Sequence, residues 1–216
     1  AALGTEFRIG AMINEPDVPN AHTSFGSIMA TEDNTNVNLS GFPSGALLPN
    51  GTAIISNFTL DEGESFIVAM GGNQDPRDLV GTLIKSDKPV VVNSGSATGS
   101  FGPNGGAGGG GQDYGFDQIV GADRIGDEYI LVKGNGEDSI ENALIIAHED
   151  NTEIFFNGSS ITTINAGEYF VAEGNQYSTN NNLYIKTTKP TFVYQGIGTS
   201  SLANQGLFFV PPLSCE

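Results

Sequence analysis

Two histidines, His22 and His148, and one cysteine, Cys215, are the only imidazoles and thiol in the chain. Two imidazoles cannot supply a three-histidine zinc site, and neither stands in a His-Glu-x-x-His pattern. His148 directly precedes a turn signal, and its counterpart in an internal repeat is Thr31, so it is expected at the surface. Cys215 follows no helical pattern and has no histidine nearby in sequence, which argues against a nucleophilic thiol. No Gly-x-Ser-x-Gly elbow is present. Carboxylates are plentiful, with 25 Asp and Glu, and a glycosidase needs only two. That abundance makes any one pair unspecific. The acidic pairs Glu32-Asp33 and Glu149-Asp150 both recur in the repeat, which favours turn chemistry over a unique active site.

Hard cations take six to eight oxygens, and Asp, Asn and backbone carbonyls in loops supply them. Asp113 and Asp117 flank a glycine-rich stretch, and Asp75 and Asp78 sit in another loop. If a metal binds, these four residues point to calcium; no cofactor is required by the pattern, and EF-hand spacing is missing. The stretch 101–115, FGPNGGAGGGGQDYG, reads as an irregular joint loop. It lacks the Gly-Lys-Ser/Thr of a phosphate loop, and no helix pattern follows it. A partner-binding role for this joint would fall on Asp113, Tyr114, Asp117 and Gln118.

The elements that must position these residues are strands. Glycine (30), proline (10) and the lack of tryptophan in 216 residues fit many turns and few helices. Charged residues are only 15% against 38% hydrophobic, so this is no disordered acidic tail. A net charge of -17 repels phosphate backbones and anionic lipid, which excludes nucleic acid and membrane surfaces as expected partners. No apolar run of about 18 residues predicts membrane insertion. A single cysteine forbids an intrachain disulfide. The chain starts AALGTEF, without Met or a signal-peptide core, and ends PPLSCE, and it is expected to be a piece of a longer polypeptide.

Four segments recur in order. Ala30-Thr31-Glu32-Asp33-Asn34-Thr35 returns as Ala147-His148-Glu149-Asp150-Asn151-Thr152. Gly4-Thr5-Glu6-Phe7 returns as Gly126-Asp127-Glu128-Tyr129, and Gly63-Glu64-Ser65-Phe66 as Gly167-Glu168-Tyr169-Phe170. Lys85-Ser86-Asp87-Lys88-Pro89 returns as Lys186-Thr187-Thr188-Lys189-Pro190. The spacing predicts an all-β fold of two tandem, pseudo-equivalent antiparallel sandwich or barrel-like repeats with little helix, residues 1–112 and 113–216. Strands are expected at 6–11, 27–31, 36–40, 53–60, 65–70, 80–85 and 89–94, and at 128–133, 143–147, 153–156, 160–164, 169–172, 183–187 and 191–195. The Glu-Asp-Asn-Thr element reads as a tight hairpin turn, since Asp and Asn tolerate left-handed backbone. Lys-x-x-Lys-Pro reads as a loop, with proline at the first residue of a strand. The pairs Phe66/Phe170, Ile67/Val171, Val37/Ile154, Val91/Val193 and Ile84/Ile185 are expected in the cores.

Gln112-Asp113-Tyr114-Gly115-Phe116-Asp117-Gln118, followed by Gly126-Asp127-Glu128-Tyr129, resembles the motif of the IgGFc-binding protein N-terminal family. That motif runs from a glycine-rich loop through Cys-Asp-x-x-x-x-Gln and Pro-Pro to Gly-x-x-Phe/Tyr. Asp113 and Gln118 match its Asp and Gln, and Gly126 and Tyr129 match its Gly and aromatic. Segments 89–96 and 190–196 resemble its Lys-Pro strand, and 207–212, LFFVPP, resembles its Pro-Pro segment. Gln112 stands where the animal members have Cys, and Val120-Gly121 replaces one Pro-Pro. The cysteine-poor, Asn-rich version is similar to modules of large surface adhesins of gliding Bacteroidetes, exported by type IX secretion. The resemblance implies a non-enzymatic extracellular module of an outer-membrane-attached parent chain, contacting polysaccharide or another surface. The alternatives are a domain of a secreted carbohydrate-active enzyme and a purely structural stalk. Sugar-binding modules usually display Trp or Tyr platforms; Trp is absent here and the 6 Tyr are scattered.

Overall fold

In the computed structural model, residues 2–13, 22–72, 74–101, 113–198 and 205–213 are described. Cys215, Gln112 and most of the glycine-rich segment lie outside these residues. Fourteen strands and three short 3-10 turns are found among the described residues. The first sheet holds β1 (Leu3–Arg8), β2 (Thr23–Ala30), β3 (Thr35–Ser40), β4 (Asn57–Leu60), β5 (Ser65–Gly71), β6 (Leu83–Gly99) and β7 (Asp113–Ile119). The second holds β8 (Gly126–Val132), β9 (Asn142–Ala147), β10 (Thr152–Phe156), β11 (Ser159–Ile164), β12 (Tyr169–Ala172), β13 (Asn182–Gly198) and β14 (Gln205–Phe209). Their strand orders, β4-β3-β6-β2-β5 and β11-β10-β13-β9-β12, are the same topology twice, with β1 and β7 added to β6 and β8 and β14 added to β13.

The strand at 113–119 corrects the expected joint at 112/113. It pairs with β6 from Val92↔Ile119 to Gly99↔Asp113, so the change of sheet falls after it. Its Gly and Asp residues masked an alternation that needs a partner to be recognised as a strand.

Each sheet is organised by one long strand. The expected strands 80–85 and 89–94 are one element, β6, and 183–187 and 191–195 are β13. The Lys-x-x-Lys-Pro segment is the bulge between the two halves, where the register against β1 jumps from Lys85 to Val90 and that against β8 from Lys186 to Thr191. Proline is tolerated there because no ladder bond is asked of it. Ser86 and Thr187 span the bulge by donating to the carbonyls of Lys88 and Lys189, both at 2.7 Å.

The Glu-Asp-Asn-Thr turn is not a hairpin. β2 pairs with Val90–Thr98 and β3 with Leu83–Ser86 of the same long strand, and β1 occupies the opposite side of that strand along both halves. β2 and β3 therefore run on in one direction, and the turn is a corner of the sheet. Asn34 (φ 54°) and Asn151 (φ 56°) carry the left-handed residue, as expected for Asn. The corner is welded twice by equivalent bonds. Asp33 Oδ1 accepts from Glu62 N, and Asp150 Oδ1 from Ala166 N, both at 3.1 Å. Lys88 donates to the Asp33 carbonyl and Lys189 to the Asp150 carbonyl, both at 2.5 Å.

Alternation fills the space inside the corner. Thr35, Val37 and Leu39 of β3, Ile28 and Ala30 of β2, and Ile84, Val90 and Val92 of β6 are buried. Ile154, Ile185 and Val193 do the same in the second unit, and Phe66 and Phe170 pack on the two cores half-buried. Three expected core positions differ. One is Val171, the counterpart of Ile67, which packs half-buried against the first unit's cluster rather than in its own unit's core. Ile67 is 58% exposed, because it lies on the outer face of β5. The partner of Val193 is Val92 rather than Val91, a one-residue slip that moves a side chain to the other face. Buried residues of β9, β13 and β14 belong to the first unit's core cluster, so the two sheets are packed on one another.

Candidate binding surfaces

β7 carries all four residues expected to bind at the joint, and it divides them between two faces. Asp113 Oδ2 accepts from the backbone N–H of Gln205 (2.7 Å), and Asp117 Oδ2 from that of Phe209 (3.1 Å). Between them, a Cβ on Gly115 would lie 2.7 Å from Leu207 N. Asp-x-Gly-x-Asp thus sets two acceptors and a gap along the edge of β14, whose outward N–H groups would otherwise lack partners. Tyr114, Phe116 and Gln118 point the other way, into solvent, where Phe116 meets Phe25 edge-on at 5.7 Å.

The four candidate calcium ligands do not meet. Asp113 and Asp117 cap β14, while Asp75 pairs with Arg77 (2.6 Å) at the turn Pro76–Leu79. Burial pushes the Asp75 carboxyl up, but the Arg77 bonds outweigh it and hold the group below its ordinary value. Asp78 is raised by burial and by the charge of Asp75. Among the described residues, no three His, Cys, Asp or Glu side chains gather as a metal site.

His148 is not a plain surface residue. It is half-buried where the units meet, edge-on to Phe192 at 6.0 Å and 3.4 Å from Glu6. Burial and the neighbouring Arg8 cation lower its pKa. Arg8 donates to the carbonyls of Gly81 (2.8 Å) and His148 (3.1 Å), and the Tyr194 hydroxyl donates to the Arg8 carbonyl (3.0 Å). A cleft of about 760 Å³ beside this joint is lined by Phe42, Asp75, Arg77 and Asp78 of the first unit and Ile164 and Tyr169 of the second.

Sequence reasoning missed a second surface. Asn36 and Asn38 of β3, Asn57 and Thr59 of β4, and Lys85 and Asp87 of β6 line a groove of about 470 Å³ with Phe58 and Val37 beneath. The signal was present as Asn at every second position of an alternating strand, which puts both amides on the outer face. The groups hold one another in place. Asn36 Nδ2 donates to Asp87 Oδ2 (2.7 Å), Thr59 Oγ1 to Asn36 Oδ1 (2.9 Å) and Asn38 Nδ2 to Asn57 Oδ1 (2.8 Å). The side-chain and backbone bonds from Asn36 keep the Asp87 carboxyl below its ordinary value. Each amide retains donors or acceptors beyond these bonds.

The model of the family described as IgGFc binding protein matches residues 1–215. The chain belongs to this family. A search of curated proteins and a search of solved structures return no match. Family membership makes the chain a module of binding type, and the duplicated sheets are the form the family takes in this sequence. No helix among the described residues is long and apolar enough to cross a membrane.

Proposed function

We propose that the chain is a non-enzymatic module of a large cell-surface adhesin, attaching to polysaccharide or a similarly hydroxylated surface, as in bacterial gliding motility. The observation that carries this is the amide-lined groove on β3 and β4. Its Asn and Thr groups are fixed by mutual bonds, so little side-chain entropy is lost on binding. Amides donate and accept at once, which suits a hydroxyl-rich ligand, and Phe58 lies beneath them. Asp87 is the only carboxylate in the groove, whereas glycoside hydrolysis uses two. The reading needs no cofactor. Divalent ions act by bridging an acidic surface, with net charge -17, to anionic partners, so adhesion to those partners rises with divalent cation. Weak single contacts add through avidity along a long, many-module parent outside the cell.

A glycan array with the wild-type chain and Asn38→Ala/Asn57→Ala tests the groove. The expected result is retention on a hydroxyl-rich glycan that the double variant loses, with unchanged thermal unfolding. Equal retention of the two proteins would remove the groove from the account.

A further inference from the structure

The joint between the two units is head to tail. The second unit supplies the outer face of β9, β13 and β14, a donor face on which Leu144, Ile146, Phe192, Tyr194, Leu207 and Phe209 are buried. These side chains share a cluster with Phe7, Ile9 and Met12 of the first unit, which receives them along β1, residues 9–13 and β7. Donor and acceptor surfaces differ, so the contact consumes one of each and leaves one of each open.

Strand register locates the open pair. Met29, Val91, Asn93 and Phe116 stand in the first unit where Ile146, Phe192, Tyr194 and Leu207 stand in the second. This open donor face carries an exposed apolar part, Phe116 at 52% and Met29 at 40%, with Val91 opposite Met29. It also carries a polar part, in which Ser27, Asn93 and Gln118 stand where Leu144, Tyr194 and Phe209 stand in the second unit. On the other side, Ile130, Val132 and Gly206 stand where Arg8, Gly10 and Gly115 stand in the first unit. With Ile197 and Phe208 they line an open groove of about 890 Å³, in which Val132 is 66% exposed. Apolar surface of this kind on both ends marks an interaction site.

We propose that the open donor face of one copy of this chain docks into the open acceptor groove of a second copy, repeating the internal joint between chains. Two details favour a second copy as the occupant. At the internal joint the Tyr194 ring sits over Gly10, where a Cβ would come within 2.3 Å of it. The open pair at the same place is Asn93 and Val132, a small residue opposite a larger one, so volume lost on one side is regained on the other. The second detail is Gly206. Its counterpart Gly115 must be glycine because Leu207 presses on it, yet a Cβ at Gly206 would meet nothing nearer than Ile197 at 3.5 Å. A mid-strand glycine that its own chain does not require fits a position filled by Phe116 of another copy. Ile130 and Phe208 replace Arg8 and Asp117, so this joint lacks the internal polar bonds. It is held by apolar contact against the repulsion of two chains of charge -17, and salt strengthens it. Because the contact is heterologous and does not close on itself, copies add in rows.

Sedimentation velocity over a concentration series reads this directly. The wild-type chain is expected to gain mass with concentration, more so at high salt. Phe116→Asp, Phe208→Asp and Gly206→Val each weaken association roughly tenfold or more, with thermal unfolding of the monomer retained. The decisive arm mixes Phe116→Asp with Phe208→Asp. Each keeps one intact surface, so the mixture forms one-to-one dimers and nothing larger. A chain that stays monomeric at all concentrations, association indifferent to all three substitutions, or a mixture that stays monomeric overturns the proposal.

Discussion

The two units agree inside and differ outside. Phe7 and Tyr129, Val37 and Ile154, Ile84 and Ile185, and Val92 and Val193 occupy equivalent, buried inner positions. The outer faces share almost nothing. Where the second unit buries Phe192 and Tyr194 against its neighbour, the first shows Val91 and Asn93 to solvent or part-way to it. Where the first sets Asn36 and Asn38 in a polar groove, the second has Glu153 and Phe155 at the same register. The corner and the core are demands each unit must meet alone. The outer faces answer to whatever lies against them, and one such neighbour is the other unit.

Breaking the joint is the strongest test of that difference. Tyr194→Ala removes a fully buried ring and its bond to Arg8, and is expected to cost about 3–5 kcal/mol in chemical denaturation. Its counterpart Asn93→Ala should cost far less. Equal losses would mean that the faces are not used differently. At the corners the units should instead behave alike. Asn34→Ala and Asn151→Ala each place a Cβ residue at positive φ and are expected to cost roughly 1–2 kcal/mol, largely recovered by Gly. A large gap between the two corners would break the equivalence.

The smallest effect concerns acid. His148 faces Arg8, Glu6 and Glu149, and its pKa in the folded chain lies below the ordinary 6.5. The unfolded chain therefore takes up this proton first. The stabilising contribution is full above pH 6.5 and is lost as pH falls through the lowered value. His148→Asn should flatten the stability profile between pH 7 and 5, while Thr31, its counterpart, contributes no such slope. Parallel profiles for wild type and variant would remove His148 from the joint.

Much of the inner architecture was legible in the sequence. The recurring Glu-Asp-Asn-Thr and Lys-Pro segments located the corners, and alternation in 36–40 and 153–156 located core faces. Tertiary arrangement decided the rest. A turn with left-handed Asn looks the same whether its flanking strands pair with each other or, as here, lie end to end along a third. β7 escaped because Gly115, Asp113 and Asp117 are loop residues by composition and become strand residues only with the edge of β14 against them. Ile67 matched a core pattern, but period-two alternation does not say which face is covered. The candidate calcium ligands were chosen by type and by their place beside loops, and the chain spends two of them on backbone N–H groups and one on Arg77.

The proposed function is that this chain holds a surface and does no chemistry on it. The most direct measurement immobilises the polysaccharide selected on the array, adds the purified chain, and follows retained protein and released reducing ends in the same sample. Binding that saturates, washes off slowly and releases no sugar over many hours is the predicted result. Steady release of reducing ends, abolished by a single Asp or Glu substitution, would contradict it and make the chain an enzyme.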